Sequence, residues 1–407
     1  MSEERIVAAL DIGTTKMLVL VGEMDERGDI YVIGHGQSSA DGLRRGVVVD
    51  MDKTVRSIRR VIEDAELVSG TEIDRVTVGI AGEHIRSINS HGVIAVSRAD
   101  NEITSGDVKK VIEASRAVAV PVDREIIHVI PQAYSVDDQS GIKDPVGMTG
   151  VRLEVESHIV TTSVTSAKNI YRALERCGLG VDHMVLESLA LTNALLTDDE
   201  TESGCIIIDV GGDITNTSVY YDGAIRHTAV VSLGGRNVTN DIAIGLRTSV
   251  EQAEKLKLGH GAAMASSVDP AEMIQVSGMA GRPAREISYN VLASIIEPRL
   301  EEIFSLVSRE IKRVYRADMF TAGMVLTGGG SLLPGTLELA EQIFDLPVRK
   351  TQIRGIAHTP EELDNARCAT AHGLLIYGFS HEPITAGRGG PLGGVLKKIE
   401  QWITKRM

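Results

Sequence analysis

The stretch IVAALDIGTTKMLVLVG (6–22) sets a polar loop with one glycine between two runs of β-forming residues. This pattern predicts a strand, a tight loop and a second strand. The same order returns in the second half of the chain as CIIIDVGGDITNTSVYY (205–221), with Asp209 in the place of Asp11. Because the repeat falls at about half the chain length, it predicts two similar lobes rather than a solenoid of short units.

Both loops carry groups that suit an anion. Gly13 and Gly211 let the backbone turn so that several N–H groups point at one anion. Small hydroxyl residues that can add donors follow at Thr14, Thr15 and Thr215. Since carboxylates beside phosphates would repel them, we expect Mg²⁺ to lie between, held largely through water by Asp11 and Asp209. A simple turn between two strands would give the same DIGTTK pattern, and no Walker-type phosphate loop is present.

Two further stretches suit a nucleotide. MVLTGGGSLLPG (324–335) predicts a strand followed by three glycines, which permit close approach of a flat ring or a phosphate to the backbone. SVEQAEKLKLGHG (249–261) predicts a short helix that Gly259 ends, with Glu254 and Lys257 on neighbouring turns. By itself that pair would be a solvated ion pair.

The composition narrows the class of protein. At 407 residues with 43% hydrophobic positions, the chain exceeds what one core usually sustains, so two or more domains are expected. Its longest apolar runs are too short to span a bilayer and the start MSEER lacks a signal region, so we expect a cytoplasmic protein. A net charge of -14 argues against nucleic-acid binding. Cys177, Cys205 and Cys368 are scattered and are interpreted as packed thiols.

The order of these parts resembles the actin, Hsp70 and sugar-kinase superfamily. LESLALTNALL (186–196) and CATAHGLLIYG (368–378) are similar to its two connecting helices, in which Ala and Gly permit close crossing. The resemblance implies an actin-like (ribonuclease H-like) two-lobed α/β fold that binds ATP and Mg²⁺. Carried over by position, the implied nucleotide ligands are Asp11, Gly13, Thr14, Thr15, Lys16, Asp209, Gly211, Gly212, Thr215, Glu254, Lys257, Gly328, Gly329, Gly330 and Ser331.

The second loop departs from the superfamily pattern. Relatives usually have a run such as DIGGGT, whereas DVGGDITN places Asp213 at a usual glycine and Ile214 at a usual threonine. An extra carboxylate beside phosphates should weaken binding unless it turns outward or joins the metal shell. No strong candidate for a water-positioning base stands out; Glu187 is a weak one, so we expect at most a slow ATPase.

A small subdomain is inserted in the first lobe. HGVIAVS (91–97) predicts a strand, TSGDVKKVIEASRAV (104–118) a helix capped near Thr104 or Ser105, and REIIHVIPQAYSVD (124–137) another strand. This βαβ-like insert resembles the one that distinguishes the FtsA family of bacterial cell-division proteins. The predicted division is lobe 1 core 1–83 and 161–203 with 365–385 returning to it, insert 84–160, and lobe 2 204–364.

The resemblance to the FtsA family extends over nearly the whole chain, through residues 34–66, 221–246 and 294–311. It implies a subdomain at about 240–318 that grips the tail of FtsZ, the tubulin-like ring protein, with Arg299 as the basic contact. The helix predicted over 294–311 also fits an amphipathic core helix with solvated charges.

The last thirteen residues, VLKKIEQWITKRM (395–407), predict a two-faced helix with an excess of three positive charges. The glycine-rich segment 386–394 before it predicts a flexible linker. Basic flanks and a tryptophan favour an interfacial helix on anionic lipid. A terminal helix packed on the body or on a partner is the alternative. The predicted membrane residues are Val395, Leu396, Lys397, Lys398, Ile399, Trp402, Ile403 and Lys405.

Together these features predict an ATP-binding, actin-like filament former that anchors FtsZ to the cytoplasmic face of the inner membrane at the division site. Its predicted partners are FtsZ, copies of itself, anionic lipid and later division proteins, with no nucleic acid. A small-molecule kinase of the superfamily would need an acidic base and a substrate pocket, and neither is assignable. The actin-like scaffold of the type IV pilus machine shares the fold and an insert but lacks a basic tail on a glycine leash.

Overall fold

The computed structural model describes residues 5–276, 283–315 and 319–381. The predicted linker 386–394 and terminal helix 395–407 therefore lie outside the described residues. The described part confirms the predicted two-lobed α/β fold, with one five-stranded sheet in each lobe.

Lobe 1 is built on a mixed sheet in the order β11-β6-β1-β2-β3. Strands β1 to β3 are antiparallel neighbours, whereas β6 and β11 run parallel to β1. Its elements are β1 Arg5–Ile12, β2 Lys16–Met24, β3 Ile30–Ser39, β4 Leu43–Arg44, β5 Val47–Val48, α1 Met51–Ser69, β6 Arg75–Ile80, α3 Val164–Glu175, β11 Gly180–Leu186, α4 Glu187–Leu195 and α5 Asp198–Ser203.

Lobe 2 repeats this sheet, in the order β14-β13-β12-β17-β18, with the same alternation of antiparallel and parallel neighbours. The predicted repeat of strand, loop and strand is therefore a repeat of the sheet itself. Its elements are β12 Cys205–Val210, β13 Thr215–Tyr221, β14 Ala224–Val231, α6 Gly235–Leu246, α7 Val250–His260, β15 Met273–Val276, β16 Arg285–Ser288, α8 Tyr289–Lys312, β17 Met324–Thr327, α9 Thr336–Phe344 and β18 Val348–Lys350.

Each lobe buries one face of its sheet under long helices. In lobe 1, α1 turns an apolar stripe inward, and Ile58 and Val61 are fully buried against the sheet. The Asp50 side chain accepts a hydrogen bond from the Lys53 backbone N–H and so caps the start of α1. In lobe 2, the fully buried Phe304 of α8 belongs to the core that α6, α8 and α9 form with the sheet. Burial of a large side chain of this kind contributes about 2 to 3 kcal/mol.

Two helices of small residues lie between the sheets. Helix α4 and helix α10 (Ala369–Ser380) cross closely, because a Cβ on Gly373 would lie 2.1 Å from the Ala190 carbonyl oxygen. The inner side of α10 packs on the lobe 1 sheet, and Leu191 and Leu195 of α4 pack on the lobe 2 sheet. Movement of one lobe relative to the other must therefore be accommodated at the contact between α4 and α10.

The insert is a four-stranded antiparallel sheet in the order β7-β10-β8-β9, covered by helix α2. Its elements are β7 Arg86–Ala95, α2 Ser105–Ser115, β8 Arg124–Val136, β9 Gln139–Ile142 and β10 Arg152–Ser163. Thr104 caps α2 in a capping box with Asp107. The predicted βαβ unit is split, because β10 pairs with both β7 and β8 and so separates them.

One predicted helix end needs correction. Helix α7 continues through Gly259 to His260 and ends at Gly261, whose N–H donates to the Lys257 carbonyl one turn earlier. A Cβ on Gly261 would lie 2.3 Å from that oxygen, whereas Gly259 has open space around it. The three cysteines are free thiols, with Cys205 and Cys368 buried. Within the described ranges, no helix has the length and apolar character that a bilayer crossing requires.

Candidate functional site

The first polar loop is the tight turn between β1 and β2. A Cβ on Gly13 would lie 2.6 Å from the Lys16 carbonyl oxygen, so the turn requires glycine. Asp11 at the end of β1 and Thr14 in the loop are both buried. The Lys16 ammonium lies 3.7 Å from the Asp11 carboxylate and donates a hydrogen bond to the Arg367 carbonyl. The loop thus pairs a buried acid with a nearly buried base.

The second loop joins β12 to β13 in lobe 2. The Gly211 N–H donates to the Ile214 carbonyl at 3.0 Å and closes the turn. Asp209 is buried, and its carboxylate accepts a hydrogen bond of 3.2 Å from the Asn216 amide. The Thr215 hydroxyl donates to the Leu233 carbonyl at 2.9 Å, so a bond to a phosphate would have to replace that contact.

The two loops come from different lobes and meet. A Cβ placed on Gly212 would lie 2.3 Å from the Thr15 methyl carbon and 3.2 Å from the Thr14 hydroxyl. Any residue larger than glycine at 212 would therefore push the lobes apart. The structure brings together the residues that the repeat had paired from sequence alone.

Keeping Asp11 and Asp209 charged where the two loops meet costs free energy unless a cation is nearby. Burial raises the pKa of Asp209 to about 6, with the charge of Asp11 adding to the rise and the Asn216 hydrogen bond opposing it. Burial likewise raises the pKa of Asp11, and Lys16 opposes that rise. Two buried acids whose charges disfavour each other are a suitable place for a divalent cation.

Glu187, the first residue of α4, lies beside these two aspartates and is 8% exposed. Burial raises its pKa well above the usual value, and the charges of Asp11 and Asp209 raise it further. Within the described ranges, no group of three or more His, Cys, Asp or Glu side chains is arranged to hold a metal directly.

The glycine loop after β17 lies against the same acid. Gly328 has a left-handed backbone (φ 81°), and a Cβ there would lie 2.3 Å from an Asp209 carboxylate oxygen. A Cβ on Gly330 would lie 2.4 Å from a methyl carbon of Val210. The buried Ser331 hydroxyl donates to the Gly328 carbonyl at 2.7 Å. Gly329 lies beside the Arg367 side chain at the start of α10.

The predicted pair on α7 lies against α6, with Lys257 shielded and the Glu254 side chain 43% exposed. The Lys257 ammonium lies 2.8 Å from Glu254 and 3.1 Å from the Gly235 carbonyl, and its side chain is 11% exposed. It also donates to the Thr239 hydroxyl at 2.8 Å. Since the Gly235 N–H donates to the Gly211 carbonyl at 2.9 Å, α7 is connected through α6 to the second loop.

Sequence reasoning missed basic residues at this site. Arg236, in the first turn of α6, donates to the Thr14 carbonyl in the opposite lobe at 3.0 Å. The extra acid Asp213 is buried and faces the opposite lobe, where Arg236 and the Arg45 backbone N–H contact it. An arginine directly after Gly234 and Gly235, at a predicted helix start, was the signal that could have been used.

The predicted partner residue lies elsewhere, on α8. The Arg299 guanidinium makes two contacts with the Asp241 carboxylate of α6, at 2.6 and 3.1 Å, and a third with Glu302. It is therefore already paired within the protein. The predicted membrane residues between 395 and 407 lie outside the described residues.

Comparison with known sequences gives family matches over two regions of the chain. The family model "Cell division protein FtsA" matches residues 206–373, and the model "SHS2 domain inserted in FTSA" matches residues 82–161. The chain is 41% identical to the cell division protein FtsA of Pseudomonas aeruginosa, covering 98% of this chain and 97% of the relative. It is 38% identical to the FtsA of Bacillus subtilis, covering 86% and 79%.

Comparison with solved structures supports the fold alone, since identities are low. The PilM-PilN type IV pilus biogenesis complex matches with a TM-score of 0.68 at 15% identity, covering 93% of this chain and 99% of the other. MreB5 of Spiroplasma citri bound to ADP matches with a TM-score of 0.56 at 14% identity, covering 92% and 96%. The same protein bound to AMPPNP gives a TM-score of 0.58 at 14% identity, covering 92% and 96%.

Proposed function

The chain belongs to the FtsA family of cell division proteins, and from that premise we propose that it binds ATP and Mg²⁺ between its lobes. The observation that carries the proposal is the burial of Asp11 and Asp209, one from each lobe, with raised pKa values beside two glycine loops. MreB5, a protein of the same fold, has been solved with ADP and with AMPPNP.

Each part of the nucleotide, from the cation and phosphates to the ribose and base, has proposed ligands among these residues. Asp11 and Asp209 would hold the cation through water, and the backbone N–H groups of the two polar loops would bind phosphates. Glu254 and Lys257, an ion pair on α7, would meet ribose and base, and the glycine loop after β17 would enclose adenosine. The cation supplies positive charge shared by the phosphates and both lobes. Since the loops touch at Gly212, the phosphates must enter by separating them slightly.

Turnover should be slow. Glu187, a buried acid at the start of α4, is a weak candidate for the base that would accept a proton from water, and no stronger candidate stands out among the described residues. We therefore propose that nucleotide mainly sets the angle between the lobes, and that closure favours assembly into filaments.

Calorimetric titration of the full chain with MgATP tests the site. We expect saturable binding that EDTA abolishes and that Asp11→Asn removes, because the variant leaves one carboxylate to hold the cation. Asp222→Asn, in the exposed turn between β13 and β14, is the matched control and should bind as wild type does. Binding that is indifferent to magnesium and to Asp11 would sink the proposed site.

The membrane role rests on the tail. We propose that residues 395–407 form an interfacial helix that holds the protein on the cytoplasmic face of the inner membrane. One tail should bind weakly, because a segment this short is marginal as a helix in water. Filament formation would link many tails and raise avidity by about 10² to 10⁴. In sedimentation with anionic vesicles, Trp402→Glu should abolish pelleting, whereas Trp402→Phe should retain it; equal pelleting of both would contradict the proposal.

The FtsZ contact is proposed at α8. Arg299 must exchange Asp241 for an acid of the FtsZ tail, which is feasible because the pair is partly exposed. Fluorescence anisotropy with an FtsZ tail peptide should show loss of binding for Arg299→Glu but not for Arg313→Glu. The control residue is exposed near the end of the same helix and pairs with Glu310. Retained binding by Arg299→Glu would move the contact elsewhere.

A further inference from the structure

The carboxylate of Asp213 joins the two lobes. It belongs to the second polar loop, in lobe 2, and is 6% exposed. It accepts a hydrogen bond of 3.0 Å from the backbone N–H of Arg45, which lies in the turn between β4 and β5 of lobe 1. A buried carboxylate that accepts from a fixed backbone N–H is held in a defined direction. The extra acid of this loop therefore points across the interface between the lobes.

Arg236 contacts both polar loops at once. Its backbone N–H donates to the Gly212 carbonyl at 2.7 Å, which fixes the start of α6 to the second loop. Its guanidinium lies 3.2 Å from the Asp213 carboxylate and donates to the Thr14 carbonyl of the first loop at 3.0 Å. One side chain thus neutralises the extra acid and reaches the opposite lobe.

A weaker contact lies next to these. The Ser232 hydroxyl of lobe 2 donates to the Glu83 carboxylate at 3.3 Å, and the Arg45 guanidinium lies 3.4 Å from the same acid. The Arg45 and Glu83 side chains are 43% and 44% exposed, so this pair contributes little in water. The Arg236 side chain is also 42% exposed, but that of its partner Asp213 is only 7% exposed, so this pair carries the connection.

We propose that Asp213 and Arg236 form a latch that holds the two polar loops together, and that Arg236 is the positioning residue that lets an aspartate sit beside a triphosphate. The proposal rests on the proposed binding of ATP. With the latch closed, the two loops are already held side by side, so less free energy is spent on bringing the lobes together around the phosphates. Without Arg236, Asp213 is a buried and uncompensated negative charge next to the phosphates.

A double-mutant cycle on MgATP affinity tests the latch. The loss of one charged hydrogen-bond partner predicts that Arg236→Gln weakens binding by about tenfold or more. Asp213→Asn removes the repulsion together with the latch and should stay within about threefold of wild type. The double variant keeps the wild-type net charge and should restore most of what Arg236→Gln loses. Lys255→Gln, which removes an exposed positive charge on α7 of the same lobe, is the control and should bind as wild type does.

A second measurement does not depend on nucleotide. Spin labels on Leu67→Cys in lobe 1 and Leu258→Cys in lobe 2, both exposed positions, report the distance between the lobes. Cys177 is only partly buried and would compete for the label, so it is replaced by Ser. Cys205 and Cys368 are buried and are kept. We expect one narrow distance distribution for the latched protein without nucleotide, and a broader one for Arg236→Gln and for Asp213→Asn.

The outcomes separate this proposal from the proposed function. If the latched protein itself fails to bind MgATP, nucleotide binding is wrong, and the distance measurement still decides on the latch. If it binds MgATP but all four proteins of the cycle bind equally and give the same distance distribution, the latch is overturned. Circular dichroism checks that each variant is folded.

Discussion

A histidine buried between the insert and lobe 2 should make the protein sensitive to acid. His158 on β10 is 1% exposed. Its ring nitrogens lie 2.8 Å from the Asn89 side-chain oxygen of the insert and 3.2 Å from the Thr228 hydroxyl of lobe 2. Burial, helped by the nearby His227, lowers the pKa of His158 to about 3. The folded protein therefore keeps this imidazole neutral far below the pH at which a free histidine is protonated.

The direction in which stability changes with pH follows from which state, folded or unfolded, binds the proton. In the unfolded chain the imidazole has a pKa of about 6.5, so below that pH the unfolded state takes up a proton that the folded state excludes. Stability should fall as the pH drops from about 6.5 towards about 3. Between pH 7 and pH 5 this one group should cost about 2 kcal/mol of unfolding free energy.

Urea unfolding of wild type and His158→Gln at the two pH values measures this cost. The glutamine can keep one hydrogen bond but does not titrate, so its stability should fall by about 2 kcal/mol less than that of wild type between pH 7 and pH 5. Thr228→Val removes a bonding partner without removing a titratable group, and its loss should be the same at both pH values. If the difference between wild type and His158→Gln does not change with pH, the reasoning is refuted.

Four other substitutions test the hinge, with its control, the acidic pair and the core. Gly373→Ala should destabilise by about 1 to 3 kcal/mol in thermal unfolding, because its Cβ would lie 2.1 Å from the Ala190 carbonyl. Gly259→Ala, with open space around it, should be neutral or stabilise by up to about 1 kcal/mol; equal effects would contradict the crossing geometry. Asp209→Asn should abolish magnesium-dependent ATP binding in calorimetry yet raise the melting temperature without nucleotide, since it removes a buried charge; a lower melting temperature would argue against that cost. Phe304→Ala should cost about 3 to 5 kcal/mol in urea unfolding, because the ring is fully buried, and a loss below about 1 kcal/mol would show that the core of lobe 2 refills the space.

The fold was predictable because its repeat is visible in the pattern of residues close together in sequence. An apolar strand that ends in aspartate, a glycine turn and a second strand form one unit, and each residue in it is fixed by neighbours close in sequence. Asp11 and Asp209 could be matched on that basis before any distance was known. The helices of small residues were visible for the same reason, since close crossing demands Ala and Gly wherever it occurs.

What the sequence did not show depends on contacts between distant segments. Asp213 could turn outward or join a metal shell, but it faces the opposite lobe, and only the position of Arg45 in that lobe shows this. The end of α7 was placed at the wrong glycine because both Gly259 and Gly261 satisfy the local rule, and only Gly261 is confined by the Lys257 carbonyl. Strand β10 enters the sheet of the insert after a long connection, so no local pattern announces that it separates β7 from β8.

The insert connects the lobes physically, which bears on how closure could be sensed. Strands β7 and β10 continue directly from the core of lobe 1, while the Gln132 amide of β8 donates to the Ile225 carbonyl of β14 in lobe 2 at 2.6 Å. A hydrogen bond weakens steeply once its atoms separate by a few tenths of an ångström beyond contact. Rotation of lobe 2 must therefore either carry the insert along or break this contact. Motion between the lobes is therefore coupled to the insert through this hydrogen bond.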